Sequence, residues 1–217
     1  LVNTNSCELY DPVANTWSSA ANSISARYYH TATLLTSGTN SGKVLVVGGY
    51  NNSTYVSSCE LYDPTANTWS AATSLASVRG NHTATILNSG KVLVTGGTNS
   101  STYVASGELY DPDINTWGGA GSLGSPRHLH TMTLLTSGTN SGKVLVAGGY
   151  NATILGSCEL YDPDTNSWSG AGSLATSRYR HVTILLPNGK VLVTGGTGTA
   201  TLASCELYDP ATNSWSA

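Results

Sequence analysis

The sequence predicts an all-β protein made of repeated units of four short antiparallel strands. The motif Glu-Leu-Tyr-Asp-Pro occurs five times in the 217 residues at intervals of 47 to 52 residues, beginning at Glu8, Glu60, Glu108, Glu159 and Glu206. A sequence period near fifty is typical of repeat architectures. No segment carries a sustained apolar period of 3.6 residues, so we expect almost no helix.

Each unit contains four runs that are rich in Val, Leu, Thr, Tyr and Trp. In the first complete unit these runs are 30–35, 43–49, 58–62 and 67–70. Gly, Pro, Asn or Ser residues bound every run, which is the pattern of short strands. The Asn-Gly pair inside 187–190 is a strong hairpin signal between two apolar runs. The four units are therefore expected to be small antiparallel sheets.

The order of these features identifies a family. Each unit has a hydrophobic strand that ends in Gly-Gly, then Tyr-Asp-Pro, then Trp, then Arg and His ahead of the next strand. This order resembles the kelch repeat over essentially the whole chain, and the chain is similar to bacterial-type kelch repeat proteins. The resemblance implies a β-propeller of four-stranded antiparallel blades. In such a propeller the strand opened by His30 lies nearest the axis, and the Trp-bearing strand lies outermost.

Alignment of the units with the kelch pattern divides the chain into blades. An outer half-blade occupies 1–20, and four complete blades occupy about 27–71, 79–119, 127–170 and 178–217. Kelch rings usually have five to seven blades and complete one of them with strands from both ends of the chain. We therefore expect this single domain to be a segment of a longer propeller or array.

A second periodicity lies over the first. The first and third blades carry the long connection Thr-Ser-Gly-Thr-Asn-Ser-Gly, at 36–42 and 136–142. The second and fourth blades have short turns at 88–90 and 187–189 instead. The repeating block is thus a pair of blades, and we expect the surface to alternate around the propeller.

Composition excludes several classes of function. Charged residues make up 10% of the chain, the net charge is −3, and nine Lys and Arg are spread over all blades. A nucleic-acid surface needs clustered Lys and Arg, so binding to nucleic acid is not expected. No apolar stretch approaches the roughly 20 residues of a membrane span. A surface of Ser, Thr, Asn and Gly suits an extracellular or cell-surface protein.

Most chemically distinctive residues obey the repeat, which favours structural roles. The Trp residues are predicted to pack one blade against the next, at positions 17, 69, 117, 168 and 215. The Cys residues lie at positions 7, 59, 158 and 205 and are predicted to be buried in an apolar layer. We expect them to be free thiols, because equivalent positions in different blades are too far apart for disulfides. Their spacings match no zinc motif.

Each blade also carries an Arg-x-x-His pair, at 27/30, 79/82, 127/130 and 178/181. We expect the His residues to form hydrogen bonds between blades, because a ring of them around a wide channel is too broad for metal–nitrogen bonds near 2 Å. A buried Glu in Glu-Leu-Tyr-Asp-Pro would need a partner. Our hypothesis is an ion pair between blades that joins this Glu to the Arg. The motif's Asp is expected to accept backbone N–H bonds within its turn.

Two short windows vary from blade to blade while their surroundings stay fixed. One precedes the His (28–29, 80–81, 128–129, 179–180), and the other follows the diglycine (50–52, 98–99, 150–151, 197–198). The kelch resemblance implies that both open onto one face around the mouth of the central channel. The candidate ligand-binding residues are Tyr28, Tyr29, Tyr50, Asn51, Asn81, Asn99, His128, Tyr150, Asn151, Tyr179 and Arg180.

The first functional interpretation is a non-catalytic binding module. Tyr, Asn, His and Arg side chains on one face could bind a protein, a peptide or a glycan, because aromatic and Arg residues are enriched at energetic hot spots. Arg180 is the one cation outside the repeat pattern, and it is the best candidate for holding a carboxylate.

Two alternatives remain open. The chain could be a structural segment that self-assembles, because the half-blade exposes unpaired strand edges; its partners would be further copies, as a homo-oligomer, or the missing blades of a longer chain. Kelch-type propellers also form the core of copper-radical oxidases, which need two His and two Tyr around one copper. Tyr28, Tyr29 and His128 are the irregular candidates here, and they fall short of such a site. We therefore expect no enzyme, no catalytic residues, no metal and no cofactor.

Overall fold

The computed structural model of the protein describes residues 4–217. This part of the chain forms eighteen β-strands, and every sheet is antiparallel. The prediction of an all-β, kelch-type fold with four complete blades and an N-terminal outer half-blade is confirmed. None of the described residues belongs to a helix that could span a membrane.

The sheets follow one another in chain order. The half-blade consists of β1 (Cys7–Asp11) and β2 (Thr16–Ala20). Blade 1 consists of β3 (Thr31–Leu34), β4 (Val44–Val47), β5 (Cys59–Asp63) and β6 (Thr68–Ala72). Blade 2 consists of β7 (Thr83–Ile86), β8 (Val92–Thr95), β9 (Ser106–Asp111) and β10 (Thr116–Ser122). Blade 3 consists of β11 (Thr131–Leu134), β12 (Val144–Ala147), β13 (Cys158–Asp162) and β14 (Ser167–Ala171). Blade 4 consists of β15 (Val182–Leu185), β16 (Val191–Thr194), β17 (Cys205–Asp209) and β18 (Ser214–Ser216).

The first strand of each blade lies at the inside of the arrangement. Strand β3 packs against β7, β7 against β11, and β11 against β15. The strands that carry Trp lie at the opposite edge of each sheet. In the described residues the blades form an open arc, and the sheets do not close into a ring.

The core lies between blades, and each blade presents two different faces to its neighbours. The face of blade 1 that carries Leu45, Cys59 and Leu61 is buried against Val94 and Tyr110 of blade 2. The same arrangement recurs between blades 2 and 3 and between blades 3 and 4. Because one sheet covers the next, neighbouring repeats supply the burial that stabilises each blade.

The Trp residues add a directed hydrogen bond to this packing. Each indole nitrogen donates to a backbone carbonyl of the preceding sheet or its connection, over 2.8–2.9 Å, in the pairs Trp69–Ala21, Trp117–Thr73, Trp168–Ala120 and Trp215–Gly172. The predicted packing role is confirmed for these four Trp residues, whereas Trp17 of the half-blade is 67% exposed and departs from it. The four indoles are half-buried, and the directed bond fixes the position of one blade along the next.

The diglycines are required because the next blade approaches closely. A Cβ on Gly48, whose φ is +59°, would lie 2.6 Å from the carbonyl oxygen of Arg79 and 3.1 Å from the His82 ring. The amide of Gly49 donates to that same Arg79 carbonyl over 2.8 Å. A side chain at Gly48 would therefore push the blades apart, and a Cβ at Gly49 would lie 2.7 Å from Tyr28 O of its own blade.

The predicted Glu–Arg pairs exist, but the expectation that they join two blades is wrong. The Arg79 guanidinium contacts Glu108 Oε1 at 2.7 Å, and both residues belong to blade 2. The same guanidinium donates to the carbonyls of Gly96 and Ser106, which are also in blade 2. The Arg side chain turns back into its own blade because strand ends there offer free carbonyls. Its backbone carbonyl makes the contact between blades instead.

The cysteines are all free, and two of the four depart from the predicted burial. Cys59 and Cys158 are buried, whereas Cys7 is half-buried and Cys205 is exposed. Cys59 and Cys158 are covered by the Val and Tyr residues of the following blade. No sheet among residues 4–217 covers that face of blade 4, so Cys205 remains accessible.

Candidate binding face

The two variable windows of each blade lie side by side. In blade 1 the amide of Tyr28 donates to Tyr50 O over 3.0 Å, and the amide of Tyr50 donates to Tyr28 O over 2.7 Å. Equivalent two-residue bridges join Gly80 to Thr98, His128 to Tyr150, and Tyr179 to Thr197. The windows therefore form one edge on each blade, at the end of the blades that carries the diglycines. We call this end the binding face.

The residue before each repeated His adopts a left-handed backbone conformation. The φ angles are 62° for Tyr29, 53° for Asn81, 54° for Leu129 and 55° for Arg180. Asn tolerates this conformation, but in Tyr, Leu and Arg it costs about 1–2 kcal/mol each. Such strain persists only where the surrounding structure holds it, and it is frequent at functional sites.

A chain of backbone hydrogen bonds holds these four residues. The amide of Asn81 donates to Tyr29 O over 3.0 Å, Leu129 to Asn81 O over 3.2 Å, and Arg180 to Leu129 O over 3.0 Å. Each bond joins one blade to the next. The four residues thus form a continuous rim around the inner end of the blades, and the rim keeps the variable side chains in fixed positions.

The rim surrounds a cavity of about 290 Å³. Its wall consists of the four rim residues and the four repeated His residues behind them. Arg180 is exposed at this opening, and no Asp or Glu of residues 4–217 forms a salt bridge with it. The mouth therefore carries one positive charge that no carboxylate of the described chain compensates.

The His residues behind the rim are neutral structural groups. His82 Nε2 lies 2.9 Å from Thr31 Oγ1 of the preceding blade, and His130 and His181 make the same contact with Thr83 and Thr131. The prediction of hydrogen bonds between blades is confirmed for these three His residues. Burial, with a smaller contribution from Arg79, lowers the pKa of His82 to about 3. These rings therefore contribute no charge near pH 7.

A first aromatic cluster lies on blade 1. The ring centroids of Tyr28 and Tyr29 are 4.4 Å apart, those of Tyr28 and Tyr50 are 5.3 Å apart, and those of Tyr50 and Tyr55 are 5.1 Å apart. Gly80 of blade 2 leaves the space that the Tyr55 ring fills, since a Cβ there would lie 2.9 Å from it. Burial and the neighbouring Tyr29 raise the pKa of Tyr55, so its hydroxyl stays neutral.

A second aromatic cluster spans blades 2, 3 and 4. His128 lies 5.0 Å from Tyr103 and 5.8 Å from Tyr150, and Tyr150 lies 5.5 Å from Tyr179. The Arg180 guanidinium lies 5.8 Å from the centre of the Tyr179 ring. Burial and then the charge of Arg180 lower the pKa of His128. The cluster offers apolar ring surface beside a single cation.

Tyr55 and Tyr103 belong to these clusters although sequence reasoning did not select them. Each lies in a Thr-Tyr-Val triplet, at 54–56 and 102–104, six residues after the second Gly of its diglycine. That shared triplet in two of the four blades was the available signal. The triplet lies beyond the variable windows, and its contact with the following blade depends on the fold of the loop, which the sequence does not specify.

The Asn residues of the second window serve their own loops. Asn51 Oδ1 accepts from the amides of Ser53 and Thr54 over 3.2 and 3.0 Å. Asn99 Oδ1 accepts from the amides of Ser101 and Thr102 over 3.0 and 2.9 Å, and Asn151 Oδ1 accepts from Thr153 Oγ1 over 3.0 Å. These three candidate residues lie on the binding face, but their side-chain oxygens stabilise the loops there.

The candidates for a copper-radical site are not brought together. Tyr28 and Tyr29 belong to the first cluster, and His128 belongs to the second. Burial raises the pKa of the Cys59 and Cys158 thiols to about 11, which keeps them protonated. Within residues 4–217 no three His, Cys, Asp or Glu side chains are grouped so that they could hold a metal ion.

Comparison with protein families decides the classification. The family described as the KLHDC2/KLHL20/DRC7 Kelch-repeats domain matches residues 2–196, and the Kelch motif matches residues 178–217. The chain belongs to the kelch-repeat family. A search among curated proteins found no match. Kelch-repeat domains are typically non-catalytic modules that mediate protein interactions, and the strained rim and the two aromatic clusters of this kelch-repeat protein are consistent with such a role.

Proposed function

We propose that this kelch-repeat protein binds a peptide segment of another protein at its binding face, across the two aromatic clusters and the rim. The observation that carries the proposal is the rim itself. In each of the four blades, a residue whose type varies from blade to blade has a left-handed backbone and lines one cavity. The cation among them, Arg180, has no carboxylate partner in the described chain. Strain of this kind is retained where the position of a side chain matters.

The chemistry of the face defines the ligand. Tyrosine rings provide large, rigid contact area with little loss of conformational freedom on binding. Arg180 can hold a carboxylate through two parallel hydrogen bonds, and the neighbouring Tyr179 and Tyr150 rings can pack against apolar side chains. We therefore infer an acidic peptide with apolar or aromatic flanking residues.

Selection from a displayed peptide library, followed by fluorescence polarisation, tests the proposal. Bound peptides should be enriched in Asp or Glu beside apolar residues. Arg180→Asn, which keeps a residue that tolerates the left-handed conformation, should weaken binding at least tenfold, and Tyr150→Ala should weaken it similarly. Lys91→Ala removes an exposed cation from the opposite end of the blades and should leave affinity unchanged.

Two results would contradict the proposal. Peptides whose affinity is insensitive to Arg180→Asn and Tyr150→Ala would place the interaction elsewhere on the molecule. Binding of saccharides, without selection of any peptide, would replace the peptide with a glycan as the ligand of the same face.

A second candidate function is assembly of copies through the two ends of the arc. The face of blade 4 that carries Leu192 and Leu207 corresponds to faces that are buried between the other blades, yet both residues are only half-buried. At the other end Trp17 is 67% exposed and Tyr10 is 47% exposed, whereas Tyr62 at the equivalent position is 6% exposed. We infer that these two ends could contact each other in neighbouring copies, since they correspond to the two sides of each internal interface.

A further inference from the structure

At the end of the blades opposite the binding face, each of the two long connections binds a turn of the next blade. We call this contact a clasp. In the long connection of blade 1, Thr39 Oγ1 donates to the carbonyls of Pro112 and Asp113 over 3.1 and 3.0 Å. The side-chain amide of Asn40 donates to Pro112 O over 3.0 Å. The adjacent Thr and Asn thus bind the Asp-Pro turn of blade 2.

The clasp recurs from blade 3 to blade 4. Thr139 Oγ1 donates to the carbonyls of Pro210 and Ala211 over 3.2 and 3.3 Å, and Asn140 Nδ2 donates to Pro210 O over 3.1 Å. Two independent copies of the same connection therefore bind the same kind of turn with the same atoms. Recognition of this turn by an adjacent hydroxyl and carboxamide is a property of the repeat.

The interface between blades 2 and 3 lacks a clasp. Blade 2 has only the turn 88–90 at the position of the long connection, and that turn is too short to reach across. The carbonyls of Pro163 and Asp164 correspond to the clasped carbonyls, but no hydrogen bond from residues 4–217 reaches them. A cavity of about 380 Å³ lies in front of them.

The cavity is polar and rich in hydrogen-bond acceptors. Lys143 Nζ lies 3.3 Å from Asp162 Oδ2, so this ammonium and this carboxylate neutralise each other. Asp164 is exposed at the wall and forms no salt bridge within the described chain, so its carboxylate is a further acceptor. Asn88 and Ser89 form the opposite wall. Two carbonyls without a protein donor and a carboxylate match a ligand that supplies hydroxyl and amide donors.

We propose that the cavity between blades 2 and 3 binds an uncharged segment of another polypeptide that carries adjacent Thr and Asn residues. The segment occupies the position that the long connections occupy at the other two interfaces, and its hydroxyl and carboxamide donate to Pro163 O and Asp164 O. This site lies at the opposite end of the blades from the binding face and does not depend on its function.

A nuclear magnetic resonance titration of the isotope-labelled chain tests the proposal. The probe is the acetylated and amidated heptapeptide Thr-Ser-Gly-Thr-Asn-Ser-Gly, and the control peptide carries Val and Leu in place of the inner Thr and Asn. We expect saturable shifts of the backbone amide signals of Ser89, Gly142 and Asp164. The control peptide should bind at least tenfold more weakly, because it cannot donate to the carbonyls.

Two variants localise the binding. Replacement of 88–90 by the heptapeptide sequence should fill the cavity from within, abolish the peptide-induced shifts and raise the melting temperature. Asp164→Ala keeps the backbone carbonyl but removes the carboxylate acceptor from the cavity wall, so it should weaken binding severalfold. This variant serves if the grafted chain fails to fold. Asp113→Ala is its matched control, because Asp113 lies at a clasped turn outside the cavity, and it should leave binding unchanged.

The outcomes separate the possible occupants. The absence of saturable shifts at millimolar peptide would overturn the proposal, as would shifts that survive both the graft and Asp164→Ala. If a disaccharide produces the shifts and the peptide does not, the cavity is a saccharide site and the assignment to a polypeptide segment is wrong.

Discussion

At the scale of single residues, the buried arginines connect elements that the sequence keeps far apart. Arg79 has no exposed side-chain surface, and its guanidinium bonds two strand-end carbonyls, the Ser106 hydroxyl and the Glu108 carboxylate. Its own backbone carbonyl then accepts from Gly49 of the preceding blade. One residue therefore joins the end of β8 to the start of β9 within its blade and also fixes the contact between two blades.

Replacement of Arg79 by Ala should be strongly destabilising. The change leaves the buried Glu108 carboxylate without its cation, and loss of one partner of a buried pair costs about 3–5 kcal/mol in the free energy of unfolding. Denaturant unfolding measures this difference. Lys91→Ala breaks an exposed pair with Asp111 and should cost less than about 1 kcal/mol. Equal stabilities of the two variants would contradict the structural role assigned to the arginine.

The buried histidines make stability depend on acidity. The folded-state pKa of His82 is lowered from 6.5 to about 3, so the folded protein binds fewer protons than the unfolded chain between these values. The contribution of His82 to stability is therefore complete above pH 6.5 and decreases as the pH falls from 6.5 towards 3. The slope for one such group is at most about 1.4 kcal/mol per pH unit.

Unfolding of the wild type and of His82→Gln between pH 7 and pH 4 tests this prediction. Gln keeps a nitrogen that can bond Thr31 but does not titrate. The free energy of unfolding of the variant should fall less steeply below pH 6.5 than that of the wild type. Parallel pH profiles would show that protonation of His82 is not what destabilises the fold in acid.

At the scale of elements, the connections group the blades in pairs. The alternation of long and short connections was visible in the sequence, and it led to the expectation of an alternating surface. The structure shows the mechanism, since 36–42 clasps blade 2 and 136–142 clasps blade 4. Spacing alone could not indicate which neighbour a connection would reach, because that depends on the direction in which successive blades are arranged.

Loss of a clasp should loosen the outer part of the next blade. Asn140 is buried, and Asn140→Ala removes its bond to Pro210 O, which should cost about 0.5–1.5 kcal/mol in the free energy of unfolding. Hydrogen exchange of the amides in 211–213 should become faster. Asn88→Ala, in the short turn of blade 2, should change neither quantity. Unchanged exchange in 211–213 would show that the clasp does not restrain this turn.

At the scale of the whole molecule, the two ends of the arc expose residues whose equivalents are buried between the other blades. Val182 of blade 4 is 56% exposed at the position where blades 1 to 3 carry the Thr that bonds the next His. Cys205 is exposed on the same blade. The end of the arc thus lacks both the apolar cover and the polar contact that join the other blades.

If copies assemble through these ends, the mass of the 22.4 kDa chain in solution should rise with concentration. Size exclusion with light scattering measures this mass. Leu207→Glu should shift the chain towards a monomer, because a charge cannot be buried in the apolar interface without a partner. A monomer at every concentration would contradict assembly, and the binding face would then be a self-contained site.

The sequence by itself determined the features that are local and periodic. Strand positions, the Asp-Pro turns with their left-handed Asn residues, the diglycines and the two variable windows follow from patterns within about fifty residues. Only the tertiary structure decided which groups meet across that distance. In the folded chain the Arg79 side chain points into its own blade, and Tyr103 packs against His128. Cys205 is exposed, and a cavity lies in front of Pro163. These outcomes depend on which face of each sheet is covered by a neighbouring blade. Because the sequence repeats, every blade has the same two faces, and the repeat does not specify which of those faces stay uncovered.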